Sequence, residues 1–114
     1  SLLFITHDLN VISYLADKIA VMYLGKIVEF GDRNEIIKNP KHPYTKALFS
    51  SIFELSDLKK KREILKGEIP GVINKPKGCY FHTRCPIAKE NCIKEIPNWK
   101  KISDNRFVAC HYSE

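Results

Sequence analysis

Four cysteines, Cys79, Cys85, Cys92 and Cys110, are all the thiols of this 114-residue chain, and all four fall between Gly78 and His111. Five, six and seventeen residues separate successive members. Four thiolates are the number that closes the sphere of a tetrahedral zinc ion or satisfies one cubane iron–sulfur cluster. The stretch therefore reads as a binding loop, and the rest of the chain has to supply its context.

Three chemistries are open to these thiols. A disulfide framework allows three pairings among four cysteines. Zinc would take four thiolates, or three with His82 or His111, although structural zinc sites usually bring a close C-x₂₋₄-C pair and none exists here. The wider spacings suit a [4Fe–4S] cluster, in which each corner iron takes one thiolate, and the Cys85-Pro86 step echoes ferredoxins. A segment this small has little core, so bound metal would supply much of its folding free energy. His82 and His111 are placed to hydrogen-bond cluster sulfurs or replace a ligand, and Arg84 to tune the site's charge. Tyr80, Phe81, Trp99 and Phe107 read as a small aromatic core around the thiols.

Composition is that of one small globular domain, 44% apolar, with no run of eighteen apolar residues and no signal-peptide pattern at its start. The net charge of +6 is spread along the chain, with Lys59-Lys60-Lys61-Arg62 the densest run. That run reads as a solvated face.

Taken in order, Leu2 to Thr6 is a short apolar run of the kind expected for a strand buried on both faces of a parallel sheet. Asp8 is placed to cap a helix carrying Leu9, Val11, Ile12, Leu15 and Ala16 at helical spacing. His7 then stands at the strand-to-helix junction, where open α/β sheets place ligand-contacting groups. The plainer reading is that His7 only caps the helix. Ile19 to Tyr23 and Lys26 to Phe30 predict a hairpin turning at Leu24-Gly25. A short helix over Asn34 to Asn39 is halted by Pro40, His42-Pro43-Tyr44 forms a stiff connector, and a second helix restarts at Thr45. His42 reads as a turn residue packing near Tyr44. A further helical segment carrying Leu58, Ile64 and Leu65 is expected, then an extended linker from Gly67 to Gly78. Within the cysteine segment a helix over Ile87 to Lys94 and a strand over Arg106 to Cys110 are predicted.

Phe4-Ile5-Thr6-His7-Asp8-Leu9, then Ala16 to Tyr23 and Gly25 to Gly31, resemble the end of an ABC transporter ATPase domain. His42-Pro43-Tyr44-Thr45-Lys46-Ala47-Leu48, Ile69-Pro70-Gly71 and the four-cysteine tail resemble the C-terminal extension of the oligopeptide and dipeptide importer ATPases, whose relatives also carry nickel. The resemblance implies an α/β fragment: the last strands and helix of an ABC ATPase domain over residues 1–31, a helical extension over 32–66, and a loop-rich four-cysteine tail over 67–114. It implies a subunit that couples ATP and Mg²⁺ chemistry to peptide uptake. Its partners would be permease subunits and a second ATPase subunit, with a peptide-binding protein acting indirectly, at the cytoplasmic face of a prokaryotic membrane. His7 falls on the family's switch histidine, which would reach the γ-phosphate and the attacking water. The tail is similar to the iron–sulfur segment of some of these ATPases, with Cys79, Cys85, Cys92 and Cys110 as ligands and a structural role. In such a cytosolic setting thiols stay reduced, which disfavours disulfides.

The sequence contains no G-x-x-x-x-G-K-[ST] loop, so it is not expected to hydrolyse ATP alone. It reads as a piece of something longer, whose exposed strands would be covered by dimerising, by swapping the first segment or by repacking it. Two other function classes fit less of the chain. A metal-stabilised nucleic-acid module would cluster its lysines around Tyr80, Phe81 and Trp99, whereas here they are dispersed, and no nucleic-acid partner is expected. An accessory regulatory domain would do no chemistry, and would contact the partner subunit or the permease through residues 32 to 114.

Overall fold

The computed structural model describes residues 1–53 and 64–113. Part of the helical segment expected around Leu58 lies outside the described residues. The element order is α1 (Leu9–Leu15), β1 (Lys18–Tyr23), β2 (Lys26–Asp32), α2 (Arg33–Lys38), α3 (Pro43–Phe53), a 3₁₀ turn at His82–Arg84, α4 (Glu90–Lys94), β3 (Lys100–Ser103) and β4 (Arg106–Val108). The four strands form one antiparallel sheet in the order β1-β2-β4-β3.

The β1–β2 hairpin follows from its turn. Leu24 (φ 47°) and Gly25 (φ 79°) both adopt positive φ, as a two-residue type I′ connection requires. β1 alternates exposed and buried residues, sending Ile19, Val21 and Tyr23 inward. The pairing slips by one between Val21 and Met22, because Val21 faces Glu29 and Met22 faces Ile27. Val28 and Glu29 thus share the place of one residue in a bulge, and both are buried. Ile19, Val21, Tyr23 and Val28 join Ile36 of α2, Phe49 of α3 and Phe81 in one core.

Helix starts are set by side chains. Asp8 Oδ1 accepts the amides of Asn10 (3.0 Å) and Val11 (3.3 Å), as expected of an N-cap. α3 begins at Pro43 rather than at Thr45. Proline lacks an N–H and has a pre-set φ, which suits the first helical position, so the connector's second proline opens the helix instead of delaying it. His42 caps it: its carbonyl accepts the Lys46 amide (3.0 Å) and its Nδ1 accepts the Tyr44 amide (3.1 Å).

Two further expectations fail. Leu2 to Thr6 is not a strand, and no parallel sheet forms among the described residues. Leu2, Leu3 and Ile5 are close to 90% exposed, because a strand exists only against neighbours and the described residues offer this run none. The helix expected over Ile87 to Lys94 is only Glu90–Lys94, because the Ala88 amide closes a turn onto the Cys85 carbonyl (3.3 Å) first. β4 pairs with β2, so the cysteine segment completes the sheet begun by residues 18–32.

Candidate functional site

The thiol site is assembled from three turns. Cys79 precedes the 3₁₀ turn, Cys85 ends it, Cys92 lies in α4 and Cys110 follows β4. Gly78 (φ 69°) lets the chain pass directly beside α4, and the Cys79 amide then bonds the Cys92 carbonyl at 2.8 Å. This one bond joins the two ends of a fourteen-residue stretch. Cys92 and Cys110 are buried and Cys79 and Cys85 half-buried, and all four are free thiols.

The sulfurs share a pattern of backbone donors. The backbone amides of Phe81 and His82 lie near the Cys79 sulfur, that of Ile87 near Cys85 and that of Tyr112 near Cys110. Such amides favour the thiolate. Burial works in the other direction and prevails: it pushes the Cys79 and Cys110 thiols up, and the Cys85 thiol up to about 11. Negative charge on the other thiols adds to the rise, since Cys85 feels Cys110, Cys79 and Cys92. The four sulfurs are therefore within electrostatic reach of one another. At neutral pH these three thiols keep their protons, and a metal would have to displace them.

Among the described residues, no three His, Cys, Asp or Glu side chains are arranged to hold one metal ion. Four thiolates around a single zinc would have to stand roughly 3.8 Å apart, given its 2.3 Å bonds. A cluster that offers a different iron to each thiolate keeps its ligands farther apart. Cys79, Cys85, Cys92 and Cys110, all free thiols, are the donors that either group would take.

Each histidine beside the thiols has one ring nitrogen bonded to a backbone carbonyl. His82 Nδ1 bonds the Cys79 carbonyl (2.8 Å) and His111 Nε2 the Glu95 carbonyl (2.9 Å), so each of these nitrogens carries a proton. The aromatic residues do not form one core around the thiols. Phe81 packs into the main core against Tyr23 (5.2 Å between centroids) and Tyr44 (5.5 Å), drawn there by burial on the sheet's inner face. Trp99 stacks edge-on to Phe107 (6.3 Å), which meets its strand partner Phe30 (6.5 Å), while Tyr80 lies under the Lys75 ammonium (5.5 Å).

His7 is exposed at the bend before α1. Asp8 supplies the helix cap, so the reading of His7 as a mere cap does not hold. His7 and the thiols belong to opposite ends of the sequence, and the sheet links them through β1, β2 and β4.

One constellation was not read from the sequence. Glu29 of β2 and Arg106 of β4 are both buried, with Arg106 Nη2 2.9 Å from Glu29 Oε1. The same carboxylate accepts the amides of Lys41 (2.9 Å) and His42 (2.8 Å), and Arg106 Nη2 also bonds the Asn39 carbonyl. His42 is 1% exposed, and burial lowers its imidazole to about 4. The only advance sign was a lone acid inside the otherwise apolar run Ile27 to Phe30.

The family model for the C-terminal region of oligopeptide/dipeptide transporters matches residues 28–92. The chain is 49% identical over 112 residues to an oligopeptide transport ATP-binding protein of Bacillus subtilis, covering 96% of this chain and 34% of that protein. It is 45% identical over 113 residues to a dipeptide transport ATP-binding protein of Haemophilus influenzae, covering 98% and 35%. Against a dipeptide transport ATP-binding protein of Caldanaerobacter subterraneus it is 44% identical over 114 residues, covering 100% and 35%. The chain thus spans about a third of the length of the relatives it matches.

Proposed function

Because the chain belongs to the family of oligopeptide/dipeptide transporter C-terminal regions, we propose that it is the C-terminal part of the ATP-binding subunit of a peptide ABC importer. The observation that carries this reading is identity of 49% sustained over 96% of the chain with an oligopeptide transport ATP-binding protein. In this role the whole subunit couples hydrolysis of Mg-ATP to uptake of oligopeptides or dipeptides. It works against permease subunits and a second ATPase subunit at the cytoplasmic face of the membrane, fed by a peptide-binding protein. Among the described residues no helix is long and apolar enough to cross a membrane, which accords with a peripheral subunit.

Within that subunit His7 is the switch histidine. Its exposed imidazole, freed from capping by Asp8, orients the attacking water and meets charge developing on the γ-phosphate. The exposed Leu2 to Ile5 run is a strand of the complete domain, or the contact through which isolated copies associate. Cys79, Cys85, Cys92 and Cys110 hold a [4Fe–4S] cluster with a structural role, a reading supported by four free thiols within electrostatic reach of one another. Bound there, the cluster cross-links three turns that otherwise share one long-range backbone bond.

A graft tests the functional reading. Residues 1–114 replace the matched third of the Bacillus subtilis oligopeptide transport ATP-binding protein, in a strain lacking that protein. Restored oligopeptide uptake is the expected result, and the His7→Ala graft should turn over ATP on the order of a hundredfold more slowly. A wild-type graft that accumulates normally and supports no uptake overturns the reading. For the cluster, anaerobic purification should give brown protein with about four irons and four sulfides per chain. Colourless protein with one zinc, or with no metal, rejects it.

A further inference from the structure

The corner between α2 and α3 is gripped from two directions by the segment that carries the thiols. Phe81, 1% exposed, has its ring centre 5.5 Å from that of Tyr44 and 5.6 Å from that of His42, and it meets Tyr23 edge-on at 5.2 Å. Arg106 reaches the same corner from β4. Its Nη2 bonds the Asn39 carbonyl and the Glu29 carboxylate, which in turn holds the Lys41 and His42 amides. Asn39 to Tyr44 is thus the seat for both residues. Among the described residues the other ties between this segment and the hairpin are short: β2 and β4 pair at Glu29–Val108 and Phe30–Phe107, and the Ala109 amide bonds the Val28 carbonyl at 2.9 Å. By contrast, β1 pairs with β2 from Lys18 to Tyr23 and buries Ile19 and Val21 with Ile36 and Phe49.

We propose that Phe81 and Arg106 form a two-point latch on the Asn39–Tyr44 corner, so that the segment from Gly78 to Cys110 docks and releases as one unit while the hairpin, α2 and α3 stay folded. A segment opens as a unit when its contacts with the rest are few and depend on one another. Here the dependence runs through the corner. Phe81 packs on the His42 ring, the His42 amide bonds Glu29 at 2.8 Å, and Glu29 is the acid that Arg106 pairs with at 2.9 Å. Loss of either grip loosens the seat of the other. The latch is made of side chains and backbone alone, and does not depend on what the thiols bind.

The test is native-state hydrogen exchange of the 114-residue chain, read by nuclear magnetic resonance. The Cys79 amide, bonded to the Cys92 carbonyl, and the Ala109 amide report on the segment from its two ends. Both should show one shared protection, lower than that of the β1–β2 amides. Phe81→Ala should speed exchange at Ala109 as much as at Cys79, on the order of a hundredfold, and Phe81→Leu should give the same pattern at smaller size if the alanine variant does not fold. Arg106→Met should likewise speed both amides alike. Ile19→Val, in the hairpin core, should speed the β1–β2 amides by roughly two- to tenfold and leave the Cys79 and Ala109 amides unchanged. Faster exchange at Cys79 alone in the Phe81 variants overturns the latch, because Phe81 then holds only its own turn. Equal acceleration of all these amides by Ile19→Val overturns it as well, because the molecule then opens only as a whole.

Discussion

The Glu29 carboxylate and the Arg106 guanidinium, 77 residues apart in sequence, meet at 2.9 Å in the interior, with Glu29 fully buried and Arg106 nearly so. The pair links three parts of the chain at once. Glu29 belongs to the hairpin, Arg106 to the strand that leads into Cys110, and between them they hold Asn39, Lys41 and His42 of the connector that starts α3. A buried ion pair is worth little by itself against its desolvation cost. Its consequence here is positional, because removal of either charge leaves the other stranded along with the backbone groups it satisfies.

The two halves of this pair should not be equivalent. Glu29→Ala strands a buried guanidinium and the amides of Lys41 and His42, so it should cost about 3–5 kcal/mol. Arg106→Met leaves a carboxylate that keeps both amides, and should cost less. Urea denaturation of the two single variants and of the double variant checks this. The double variant should cost less than the sum, and equal losses in the singles would reject the asymmetry.

His42 makes stability depend on pH. Its imidazole is neutral in the fold, accepts the Tyr44 amide through Nδ1, and is lowered by burial to about 4 from a reference of 6.5. Between pH 6.5 and 4 the unfolded chain binds a proton that the folded chain refuses. Stability from this group is therefore complete above pH 6.5 and falls as pH drops toward 4, by at most about 1.4 kcal/mol per unit. Thermal melts of the wild type and of His42→Gln over that window should differ in slope, with the variant flatter.

The parts legible in the sequence are those set by neighbouring residues. Leu24-Gly25 specified its hairpin through positive φ, Asp8 specified a helix start, and Pro40 a helix stop. What was not legible depends on distant partners. β3 presents four exposed residues, Lys100 to Ser103, with no apolar alternation to read, and it exists because β4 is there to pair with it. Leu2 to Ile5 carried a strong strand pattern, but pattern supplies only one side of a ladder. Glu29 and Arg106, 77 residues apart, gave no sign of each other until the fold brought them together. The thiols could be counted in advance, whereas the bond that ties the Cys79 amide to the Cys92 carbonyl emerges only once the turns are formed.

The exposed Leu2 to Ile5 run should make the isolated chain self-associate. Four large apolar side chains in succession stay in water, with Leu15 and Met22 also exposed. Sedimentation at rising concentration should reveal dimers or larger species. Leu3→Lys with Ile5→Lys should yield a monomer with an unchanged melting temperature, since neither side chain belongs to the core. A wild type that stays monomeric to millimolar concentration would contradict this.

Two glycines separate backbone need from incidental use. A Cβ on Gly78 would lie 2.4 Å from the Cys92 carbonyl oxygen and 2.6 Å from that of Ile93, both backbone atoms, and φ there is 69°. Relief means moving α4 away from the 78–79 peptide, and that displaces the bond between the Cys79 amide and the Cys92 carbonyl. Gly78→Ala should therefore lower stability by about 2 kcal/mol or more, counting the strained backbone and the lost bond. It should also separate Cys79 from Cys92 and so, if the proposed cluster forms, reduce iron uptake by the chain. Gly71 sits seven residues upstream in the linker, has no atom within 4 Å of a built Cβ, and is not at positive φ. Gly71→Ala should be neutral within about 0.5 kcal/mol. Denaturation curves and iron content measured side by side give both comparisons, and equal behaviour of the two variants would show that the close passage at Gly78 does not set the thiol site.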